Sequence, residues 1–119
     1  MSTRQSRRAL RPTSVRAARA HLLGSKASAL VEQARLVLCE PTRTQIVRAL
    51  AAGPLSVSEL ASVIGCSQST ISRHLRILRE EGVVQASPRG RVVLYRLTPA
   101  PVVRSALQAL DTITSAANT

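Results

Sequence analysis

The 119-residue sequence contains no Phe and no Trp and only one Tyr, so it has no aromatic platform on which splayed bases could stack. This argues against a reader of single strands or RNA loops. Acid is scarce too, with six Asp and Glu against 17 Lys and Arg and a formal net charge of +11. Two cysteines, Cys39 and Cys66, are too few for a disulfide scaffold and fit a reducing compartment. No stretch approaches the roughly 18 to 20 apolar residues of a membrane span, and no apolar h-region follows the basic N-terminus. The expectation is therefore a cytoplasmic protein. With two histidines, His21 and His74, and no glycine-rich phosphate loop, no catalytic constellation can be assembled. The expectation is a non-enzyme without cofactor or metal.

What the sequence does hold is excess positive charge, which favours a polyanionic partner such as nucleic acid. Its length suits one domain, and a domain this small leaves much surface wet unless it pairs with a partner. Residues 1–25 carry Arg4, Arg7, Arg8, Arg11, Arg16 and Arg19 with no carboxylate. Self-repulsion predicts a loose basic arm there, ahead of one domain over 26–119. The same composition resembles an organelle transit peptide, but a basic arm is the commoner explanation.

From Ala27 the apolar positions Leu30, Val31, Ala34, Val37 and Leu38 recur at helical spacing until Pro41. Pro41 is placed to open a second helix carrying Ile46, Val47 and Leu50, which ends at Gly53-Pro54. Ser56 and Glu59 form a capping-box pattern ahead of a short third helix with Leu60, Ala61 and Ile64. Gly65 then breaks the chain, Ser67 caps a fourth helix to about Glu81, and Gly82 stops it. Val83 to Ser87 and Arg91 to Leu97 read as strands around Pro88-Arg89-Gly90, a candidate wing. Thr98-Pro99 is expected to open a last helix whose stripe Val103, Ala106, Leu107, Leu110 and Ile113 needs a partner. The fold class is thus mainly α with a small β-hairpin, a winged helix-turn-helix ending in a dimerisation helix.

On the fourth helix Ile71, Leu75 and Leu78 share one side, which leaves Gln68, Ser69, Ser72, Arg73 and Arg76 on the other. The major groove of duplex DNA admits a helix and is read by such amide, hydroxyl and guanidinium groups. The pattern also fits an ordinary solvated face. Candidate DNA contacts are Gln68, Ser69, Thr70, Ser72, Arg73, His74 and Arg76, with Arg89 and Arg91 at the wing tip. His74 falls between the two sides, and either a packing histidine or a phosphate donor fits it. Arg43 and Arg48 read as surface charge. An architectural, nucleoid-type DNA binder relying on the arm is the alternative to a sequence reader.

The segment LSVSELASVIGCSQSTISRHLRILREEGVV, Leu55 to Val84, resembles the helix-turn-helix of the ArsR/SmtB family of bacterial repressors. EPTRTQIVRAL before it is similar to that family's preceding helix, and the resemblance covers roughly residues 27–97. Ser67 to Leu75 is its most specific part. The resemblance implies a homodimer joined through the first and last helices, with an inverted-repeat operator as its target and two recognition helices about 34 Å apart. The family's sensor sites do not carry over. Its Cys-X-Cys for soft metals reads Ser56-Val57-Ser58 here, and hydroxyls do not replace thiolates for such metals. Its zinc set on the last helix is reduced to Asp111, with no histidine. Cys39 and Cys66 read as space-filling thiols or as a thiol switch.

Overall fold

A computed structural model of the chain describes residues 11–118. Six helices and one hairpin follow in the order α1 (Pro12–Ala20), α2 (Ser25–Leu38), α3 (Pro41–Leu50), α4 (Val57–Ile64), α5 (Gln68–Glu80), β1 (Val84–Arg89), β2 (Val92–Leu97) and α6 (Pro101–Ala117). This is the winged helix-turn-helix expected from the pattern of the sequence.

The starts of α3 and α4 have local causes. Pro41 occupies the first turn of α3, and the Glu40 carboxylate accepts the Arg43 backbone N–H at 2.7 Å. Ser56 and Glu59 complete their capping box on α4: the Glu59 N–H donates to Ser56 Oγ at 3.2 Å, and the Ser56 N–H to Glu59 Oε1 at 2.9 Å. Gly65 ends α4 at φ +86°, a left-handed conformation that costs glycine nothing, and so permits the tight turn into α5.

The core gathers one side of every helix from α2 onward. Val37, Ile46, Val47, Leu50, Leu60, Ile71, Leu75, Leu78, Val83, Val84, Val102, Val103 and Ala106 are buried together. Each large aliphatic chain so withdrawn from water contributes about 1.5–3 kcal/mol. α5 packs on α4 and α3 through Ile71, Leu75 and Leu78, so its orientation is fixed from behind.

β1 and β2 pair antiparallel from Val84↔Leu97 to Arg89↔Val92. The turn is therefore Gly90-Arg91, with Gly90 at φ +64°. A two-residue hairpin loop favours positive φ at its first position, which is why the turn centres there and not on Pro88 as the proline suggests. Pro88 lies inside β1, opposite Val93. Leu55 adds a bridge to the other edge of β2, exchanging backbone bonds of 3.1 and 2.8 Å with Tyr95.

Two further boundaries differ from expectation. The last helix starts at Pro101, not at Pro99, with Ala100 as its N-cap. Thr98 instead closes the base of the wing, its hydroxyl donating to the Gly82 carbonyl at 2.6 Å and its N–H to the Val83 carbonyl at 3.0 Å. The segment expected as a loose arm is helical over Pro12–Ala20. Pro12 opens that helix, and its alanines and arginines are good helix formers. None of its residues is buried. Arg4, Arg7 and Arg8 lie outside the described residues.

α2 and α6 lie against each other, yet Leu30, Val31 and Ile113 on them remain exposed, Ile113 by 62%. The radius of gyration is 20.1 Å, against about 13–14 Å for a compact domain of this length.

Candidate nucleic-acid interface

The outward side of α5 carries the candidate contacts. Gln68, Ser69, Ser72, Arg73 and Arg76 are exposed, while Ile71, Leu75 and Leu78 at the complementary helical positions are buried. The separation follows from spacing: apolar residues three and four apart fall on one side, and the residues between them face out. The start of α5 is organised by Ser67. Its Oγ accepts the Thr70 N–H at 3.1 Å, donates to Thr70 Oγ1 at 2.8 Å, and lies 3.2 Å from Ser69 Oγ. Thr70 is half-buried as part of this cap. Arg89 and Arg91 are exposed at the wing tip around Gly90. None of the carboxylates among the described residues pairs with Arg73, Arg76, Arg89 or Arg91.

His74 does not belong to that surface. It is 7% exposed, turned toward the start of α3, with Nδ1 3.4 Å from Arg43 Nη1 and 3.8 Å from Glu40 Oε2. One position after Arg73 and one before Leu75, it follows the buried stripe, which corrects its candidacy as a phosphate donor. Desolvation pulls its pKa below the ordinary histidine value, the nearby Glu40 carboxylate opposes that shift, and Arg43 and Arg73 add to it.

Arg43 is likewise more than surface charge. It is half-buried, and its Nε donates to the Leu36 carbonyl at 2.7 Å. It therefore joins the end of α2, the start of α3 and the middle of α5. Sequence reading missed it because its partners are 7 and 31 positions away. Arg48 pairs with Asp111 across α3 and α6 at 2.8 Å, so the one acid of the last helix is engaged by a cation.

Cys39 is exposed at the end of α2, Cys66 packs against the core before α5, and both are free thiols. Among the described residues no group of three or more His, Cys, Asp or Glu could hold a metal. No helix of the described residues is long and apolar enough to cross a membrane.

A buried-backed helix with a polar front, reached through a tight turn and followed by a basic hairpin, defines a winged helix-turn-helix protein. Residues 40–86 match the family described as bacterial regulatory protein, arsR family. The chain is 41% identical over 75 residues to the HTH-type transcriptional regulator NmtR of Mycobacterium tuberculosis, a match covering 63% of this chain and 62% of that protein. The chain thus spans less than two thirds of that relative. Among solved structures, the transcriptional repressor BigR from Xylella fastidiosa superposes with a TM-score of 0.66 at 36% identity, over 74% of this chain and 89% of that one. The homodimeric winged helix-turn-helix DNA-binding domain of Mb0332 from Mycobacterium bovis gives 0.60 at 28% identity, over 80% and 89%. The chain belongs to the arsR family of bacterial regulatory proteins.

Proposed function

We propose that the chain is a cytoplasmic transcriptional repressor that binds an inverted-repeat operator as a homodimer. The observation that carries this is the division of α5 into a buried aliphatic side and an exposed side of Gln68, Ser69, Ser72, Arg73 and Arg76. In this reading Gln68, Ser69, Ser72 and Arg73 meet base edges in the major groove, and Arg76, Arg89 and Arg91 meet phosphates. Support for the homodimer comes from the exposed Leu30, Val31 and Ile113 on α2 and α6 and from the homodimeric Mb0332 domain. Relatives named as regulators and repressors favour a sequence reader over an architectural binder. Selection of bound sequences from a random duplex pool tests the proposal. An inverted repeat should emerge, with half-sites spaced by about one helical turn. Recovery of no consensus would sink it.

A further inference from the structure

The seven cations up to Lys26 meet no carboxylate before Glu32, so this first part of the chain supplies seven of the eleven net positive charges. Within it α1 is a separate surface. All its residues but Val15 are exposed, none is buried, and Arg11, Arg16 and Arg19 pair with no carboxylate of the described residues. Arg16 and Arg19, three positions apart, are neighbours on the helix, where like charges repel. Nothing among the described residues offsets that repulsion, and a nine-residue helix without buried side chains draws little stability from packing. α1 also lies ahead of the matched family segment, residues 40–86.

We propose that α1 is a second DNA contact, in which Arg11, Arg16 and Arg19 bind phosphates of duplex outside the stretch covered by α5 and the wing, without reading bases. The charge favours this partner over an acidic face of a second copy. The chain has only six acids, and Glu32, Glu40 and Asp111 already face Arg35, His74 and Arg48. A duplex presents one phosphate charge about every 1.7 Å along its axis, and each neutralised phosphate releases condensed counterions. The inference rests on the DNA-binding reading above and adds a footprint and a salt dependence that α5 and the wing do not supply.

The test compares the full-length parent with the R11Q/R16Q/R19Q triple variant. Affinity for the selected operator and for a scrambled duplex of equal length is measured across a salt series. Every phosphate that the variant leaves unneutralised should flatten the plot of log affinity against log salt by about 0.9, so three of them shrink the fall in affinity between about 50 and 200 mM by about 40-fold. Both duplexes should weaken alike, leaving their ratio unchanged, and the footprint on the operator should shorten. An unchanged slope would overturn the proposal, as would a change in the operator-to-scrambled ratio. Dissociation of the variant into monomers during sedimentation would overturn it as well, by making α1 a subunit contact. A parent that fails to distinguish operator from scrambled duplex would refute the repressor reading alone, since the slopes still report on α1. Any loss of helical circular dichroism in the variant should not exceed what nine residues contribute, because none of them is buried.

Discussion

His74 on α5 stands with its Nδ1 3.4 Å from Nη1 of Arg43 on α3. A guanidinium has donors only, so Nδ1 accepts and the ring proton of the neutral imidazole sits on Nε2. Folding favours the neutral form, because burial disfavours the imidazolium. The folded pKa lies below the unfolded value of about 6.5, so the unfolded chain binds the proton more readily. His74 thus contributes full stability above about pH 6.5 and loses it as the pH falls toward the folded pKa. Glu40, Arg43 and Arg73 are the charged groups acting on the ring, and only Glu40 favours protonation. Urea midpoints between about pH 7.5 and 5 should fall for the parent and fall less for His74→Gln. Parallel curves for the two proteins would contradict this account.

Arg73 is exposed and pairs with no carboxylate among the described residues, so Arg73→Ala should leave folding stability within about 0.5 kcal/mol of the parent. Its effect should fall on sequence discrimination. A bidentate base contact is worth about 1–3 kcal/mol, and preference at one operator position per half-site should relax by that amount. Binding assays on single-base operator variants check this. Equal affinities of parent and variant across all of them would remove Arg73 from the base-reading set.

Ile71 has no exposure at all and stands behind the polar face of α5. Ile71→Ala removes aliphatic volume where α5 meets the core, at a cost of about 2–5 kcal/mol. Ser72→Ala, one residue along on the exposed side, should change stability by less than about 0.5 kcal/mol. Chemical denaturation of the pair measures the contrast between the two sides of the helix. Similar losses for both would mean that the exposed side is packed in solution.

Ser67 satisfies an otherwise orphaned N–H at the start of α5. Ser67→Ala should cost about 1 kcal/mol. Ser67→Asp should restore most of it, since a carboxylate caps equally well and suits the helix dipole. The same Asp should nevertheless weaken DNA binding, because it adds negative charge beside the proposed interface. Thermal melts and affinity measurements on the two variants separate these effects.

Ile113 on α6 is mostly exposed. Ile113→Glu should shift the protein toward monomer in sedimentation and lower operator affinity, with little change at the level of one folded subunit. A fully dimeric variant would move the proposed subunit contact away from this part of α6.

The local features are legible in the sequence. Capping at Ser56 and Ser67, the Gly65 turn and the stripe Ile71, Leu75 and Leu78 each depend on residues within a few positions of one another. The wing is legible in existence but not in register, because Pro88 and Gly90 both read as turn residues and only strand pairing decides between them. Thr98 looks like a cap because its bond to Gly82 spans 16 positions and leaves no local trace. Arg43 and His74 are obscured for the same reason. Each draws its role from a partner on another helix, which periodicity does not encode. α1 is hidden by its charge, which argues for an extended chain, while its alanines and Pro12 favour a helix.

The clasp of Thr98 onto Gly82 and Val83 gathers the two strands of the hairpin at one base, and the Leu55–Tyr95 bridge ties β2 to the body farther along. Residues added or deleted near Gly90, beyond both ties, should alter how far the ribbon reaches while leaving the helices in place. In the DNA-binding reading proposed above, the span of the ribbon is thus a dimension that can vary independently of the scaffold.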